Sequence, residues 1–135
     1  MQYHTHSVGP DAHAFRMAFG AAINLARQSP FHEVIVLVHT VQMLQGGVCE
    51  EVFGEKFVAG LVKNKVAGIE GVRVHLETER VRSTATTAVI FAPFVSERLL
   101  AKAIADRRSQ DIVYIPWAED ERSAYLDRYP DSVRL

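Results

Sequence analysis

Ala88-Val-Ile-Phe-Ala-Pro93 and Asp111-Ile-Val-Tyr-Ile-Pro116 are two short apolar runs, each stopped by a proline. Neither alternates apolar with polar residues. Continuous runs of this kind are what strands buried on both faces look like. Ser96–Arg108, between them, has helical spacing, and Ala118–Tyr129, after the second, has it again. Strand, helix, strand, helix is the pattern of an α/β domain with a parallel core.

Upstream, Glu33-Val-Ile-Val-Leu-Val38 is a third such run, ending at His39-Thr40. Gly9-Pro10-Asp11 opens a helix that runs to Gln28, with proline at its first position, and Ser29-Pro30 closes it. Residues 1–9 read as a short extended arm. Thr40–Gln45 has room for one helical turn. Val48–Val66 reads as one helix with Cys49, Val52, Phe53, Phe57, Leu61 and Val62 inward, although Gly54 and Gly60 each weaken it by about 1 kcal/mol. Val72–Thr78 alternates, the mark of a half-buried edge strand. The polar link 80–84 is too short for a helical crossover. Residues 86–92 are therefore expected to pair with 72–78 as a hairpin, or to be reached by another non-parallel route. The sum is a small three-layer, Rossmann-like sandwich in one domain, residues 1–135. Its sheet is mixed but mostly parallel, of about four strands flanked by helices with right-handed crossovers.

Composition narrows the function classes. Hydrophobic residues make up 48% of the 135, enough for a sizeable core. Lys and Arg number 15 against 16 Asp and Glu, and the two signs are interspersed, which argues against nucleic acid as a partner. Val34–Val38 is the longest strongly apolar run, too short to span a bilayer, and the N-terminus lacks a basic region followed by an apolar one. Cys49 is the single cysteine. The expectation is a soluble cytoplasmic protein with no membrane partner.

No glycine-rich phosphate loop, CxxC pair or HExxH pattern is present, so neither a cofactor nor a metal is assigned. His4, His6 and His13 are near in sequence, but nothing fixes the arm that would carry them. In open α/β sheets ligands sit outside the carboxyl ends of the strands. That rule nominates His39, Thr40, Pro93, Phe94, Pro116 and Trp117: the aromatics as walls, His39 and Thr40 as polar contacts. Glu50, Glu51, Glu97 and Glu119-Asp120-Glu121 sit in the first turns of the rim helices, which favours a neutral or cationic ligand over a phosphate. Ser83-Thr-Ala-Thr-Thr87, beside Arg80 and Arg82, suits either an anion at a sheet edge or a plain loop of β-favouring threonines.

The helix 10–28 has an apolar arc wider than one sheet face needs, with alanines at 12, 14, 18, 21, 22 and 26 that admit a second backbone. Two functions fit. The first is a non-catalytic binding or assembly module that forms a homo-oligomer through helix 10–28, with a small molecule or protein at the rim. The alternative is a small enzyme or nucleotide-type ligand-binding domain using the strand ends.

Overall fold

The three apolar runs lie side by side and parallel. Val34, Ile35 and Val36 of β2 (Glu33–Leu37) pair with Val89, Ile90 and Phe91 of β5 (Ala88–Pro93), and β5 pairs onward with β6 (Ser109–Ile115). Their alternate side chains serve two separate clusters. Val34, Val36, Val89, Phe91 and Val113 point to one face, Ile35, Leu37, Ile90, Ile112 and Tyr114 to the other. Burial on both faces is why these strands are continuously apolar.

The computed structural model describes residues 1–135. It is an α/β fold with a seven-stranded mixed sheet and five α-helices. The strand order is β3-β4-β2-β5-β6-β1-β7, with β1 at Gln2–His4, β3 at Val66–Ile69, β4 at Val72–Glu77 and β7 at Val133–Arg134. Every pairing is parallel except β3 with β4. The sheet is wider than four strands because three short strands extend it: β3, where the sequence reads as a helix end and a turn, and β1 and β7. The arm at residues 1–9 contributes β1, whose Tyr3 lies opposite Val113, and β7 adds two residues beyond it. Strands of two or three residues carry no readable period.

Helices α1 (Ala12–Gln28), α2 (Gly47–Phe53) and α3 (Glu55–Asn64) cover one face. Helices α4 (Glu97–Ala105) and α5 (Glu119–Arg128) cover the other. The chain moves in one direction along the sheet through α1–α3 and in the opposite direction through α4 and α5, as a constant crossover hand requires.

Four local expectations are corrected. Pro10 lies outside α1, which Asp11 caps by accepting a hydrogen bond from the Ala14 N–H at 3.1 Å. The single helix expected over 48–66 is two, α2 and α3, because Gly54 takes φ +87° and ends the first, and Val66 belongs to β3. The alternating strand β4 is internal, not an edge. It pairs with β2 on one side and with β3, through a tight turn at Glu70-Gly71, on the other. No hairpin joins β4 to β5; both run parallel to β2, which lies between them.

The link from β4 to β5 therefore crosses the sheet without a helix, on the α4 face. It also explains the alternation of β4. His75 and Glu77 are 4% and 5% exposed, yet they face a polar loop rather than an apolar helix. Arg108 closes this region. Its guanidinium donates to Glu77 Oε2 at 2.6 Å and Oε1 at 2.9 Å, and to Asp106 Oδ2 at 2.8 Å. Ser83 adds its N–H and its hydroxyl to Glu77. Burial pushes the Glu77 carboxyl up, but the bonds from Arg108 and Ser83 outweigh it and hold it below its ordinary value.

Candidate functional site

β2, β5 and β6 end on the same side of the molecule, so His39, Thr40, Pro93, Phe94, Pro116 and Trp117 share one rim. The chain leaves β2 for α2 on one face and leaves β5 for α4 on the other. The two exits therefore diverge between the tips of β2 and β5. His39 bridges the two exits: its Nε2 accepts the Ser96 N–H at 2.8 Å. The imidazole is thereby tied to the start of α4. Ser96 in turn caps α4, accepting the Leu99 N–H at 3.2 Å. Thr40 is exposed and precedes a 3-10 turn at Val41–Leu44 without a side-chain bond to it. Pro93 and Pro116 are buried.

Phe94 and Trp117 come together. Their ring centroids are 5.2 Å apart, nearly perpendicular, and Trp117 is 53% exposed. Phe94 has φ +62°, a left-handed backbone that costs a bulky L-residue about 1–2 kcal/mol. Its N–H donates to Ile115 O at 2.9 Å and its ring meets Phe15 at 6.2 Å, so the surrounding contacts hold it there. The segment after β1 runs over the same rim. Gly9 donates to Pro116 O at 3.0 Å, and with φ +71° a Cβ there would lie 3.4 Å from Trp117 O.

Acids stand round this rim. At the start of α5, burial and the charge of Asp120 push the Glu121 carboxyl up. None of the five principal cavities is lined by His39, Thr40, Phe94 or Trp117. The rim is an aromatic ledge rather than a deep pocket.

A second feature involves α1. Phe15 and Phe19 are buried between the sheet and α2, with edge contacts to Phe53 at 5.3 and 4.7 Å and to Phe91 at 5.2 and 5.3 Å. Part of the broad apolar arc is thus satisfied within the chain. Beside it runs a groove of about 270 Å³ between α1 and α2–α3, with Phe19, Ile23, Phe53 and Phe57 in its walls. Gly20 lies in the groove, and nothing stands within 4 Å of where its Cβ would be. Arg16 and Glu70 flank the groove; both are exposed and neither forms an ion pair within the chain.

The remaining sequence candidates are dispersed. His4 is buried, its Nδ1 2.8 Å from Ser132 Oγ, and no three His, Cys, Asp or Glu side chains group as metal ligands. Cys49 is 3% exposed, and burial pushes its thiol up to about 11. No helix is long and apolar enough to cross a membrane. Glu70 and the Glu77–Arg108 pair had no distinguishing sequence signal, since an isolated charge reads as solvated until its neighbours are placed.

Comparison with protein-family models, with curated proteins and with solved structures finds no match to this chain.

Proposed function

We propose that this protein is a non-catalytic assembly module that pairs with a second copy of itself across the α1 groove. One observation carries the reading: the groove is bordered by opposite, unpaired charges, Arg16 and Glu70. A two-fold contact sets each residue of one copy against the other kind on its partner, so one patch serves both sides. The shapes also complement. Phe53 and Phe57 form a bulky bank and Gly20 a notch, and a two-fold places bank against notch. Apolar walls supply attraction, while the charges set register. The cytoplasm is the compartment that suits a chain with one buried cysteine.

Charge reversal tests the pairing. Arg16→Glu and Glu70→Arg each set like charges together and are expected to raise the dimer dissociation constant about tenfold or more. The double variant restores opposite charges and is expected to recover most of the affinity. Single variants with unchanged self-association, or a double variant weaker than both, would sink the two-fold arrangement.

Phe94 supports a second reading, a Rossmann-like binding domain whose ligand lies on the rim. Strained backbone at the tip of β5, next to an exposed Trp117, is the kind of feature that accompanies ligand sites. On this reading Phe94 and Trp117 are the walls, His39 and Thr40 the polar contacts, and the acidic helix starts select a neutral or cationic molecule.

A further inference from the structure

The face of β4 that points away from α1–α3 has no helix above it. Beside the loop 78–87 it holds an open cavity of about 450 Å³ lined by Asn64, Lys65, Val66, Arg73, His75, Arg82, Ser83 and Thr84. No carboxylate is among these residues. The acids nearby are already engaged. Glu33 accepts from His75 Nε2 at 2.8 Å, Glu77 is held by Arg108 and Ser83, and Asp106 is held by Arg108. Lys65 and Arg73 have no carboxylate partner. Arg82 makes only a long 3.5 Å contact to Asp106 and is 72% exposed. Lys65 caps α3 in a left-handed conformation, φ +64°, and gives one proton to Val62 O at 2.9 Å, leaving two others.

Three cations with no carboxylate among them, plus the Thr84 hydroxyl and the Asn64 amide, form a set of donors suited to an oxyanion. The one apolar lining residue is Val66, and the only ring is His75, whose side chain is 5% exposed and tied to Glu33. No open ring face is therefore offered to a nucleobase. We propose that this cavity binds the phosphate group of a compact, hydroxyl-rich ester of the sugar-phosphate class, with Lys65, Arg73 and Arg82 neutralising the phosphate. Asn64 and Thr84 face its hydroxyls. Arg73 and His75 approach from the far face of the sheet and Asn64 and Lys65 from the end of α3, and none of the lining residues belongs to the α1 groove, so the site stands whether or not the chain self-associates.

Calorimetric titration of the full chain with glucose 6-phosphate, at a fixed ionic strength of about 0.15 M, tests the assignment. Saturable binding with a dissociation constant below about 1 mM is expected. Arg73→Thr, which keeps strand propensity at an exposed position, should weaken it about tenfold or more, and Arg73→Lys should weaken it less. Arg82→Gln should act in the same direction. Unchanged thermal melts and unchanged sedimentation of these variants separate loss of the site from loss of fold or assembly. The assignment is overturned by no saturable binding, by binding of inorganic phosphate but not of the ester, or by equal affinity in Arg73→Thr.

Discussion

Arg108→Met removes the one cation that pairs with Glu77. Four donor contacts disappear: 2.6 and 2.9 Å to Glu77, 2.8 and 3.1 Å to Asp106. Glu77 remains 5% exposed with only Ser83 to satisfy it. Breaking a buried pair by deleting one partner costs about 3–5 kcal/mol, and urea unfolding at pH 7 should show a loss in that range. The pH dependence gives a sharper test. The folded wild type holds Glu77 and Asp106 below their ordinary values of 4.5 and 3.8. For Asp106 the bonds from Arg108 are the main cause, with burial opposing them. A depressed carboxylate stabilises above its unfolded value, and that stability fades as pH falls through the folded value. In Arg108→Met, burial acts on Glu77 without the opposing guanidinium, so its carboxyl rises and takes up a proton more readily. The gap between variant and wild type should therefore shrink from pH 7 to pH 4. Adding Glu77→Gln to the variant should restore part of the loss at pH 7. A loss under about 1 kcal/mol, or one equal at both pH values, would refute the claim that this ion network closes the uncovered half of the sheet.

Other consequences are simpler to read. Gly54→Ala should lower stability by about 1–3 kcal/mol in a thermal melt, through backbone strain alone, since φ +87° with ψ 148° is a conformation essentially confined to glycine and nothing stands near the added Cβ. Cys49 should react with a thiol reagent at pH 7.5 far more slowly in the folded protein than in denaturant, because burial lifts its thiol to about 11. Comparable rates would show that α2 opens readily. Trp117, the single tryptophan, is 53% exposed and should be quenched freely by acrylamide; a ligand on the rim would shield it.

The core of the fold was legible because β2, β5 and β6 are buried on both faces, and such strands announce themselves by unbroken apolar residues. Their shared direction followed from the helices between them, and it places Phe94 and Trp117 on one rim, where the two rings meet. The rest escaped for physical reasons. β1 and β7 are too short to carry a period, so their pairing is decided by neighbours. β4 alternates as an edge strand does, but its polar side chains meet Arg108 and Ser83 instead of water, and only tertiary placement tells the two apart. Gly54 and Gly60 look alike in sequence, yet only Gly54 takes the backbone that ends a helix. Arg16 and Glu70 lie more than 50 residues apart, and their facing positions depend on β3 closing against β4.

Sedimentation velocity of the unmodified chain over a wide concentration range tests the assembly reading most directly. A species of twice the 15.1 kDa chain mass, growing with concentration and lost in Arg16→Glu, is the expected result. A single 15.1 kDa species at every concentration up to about 0.5 mM would contradict it.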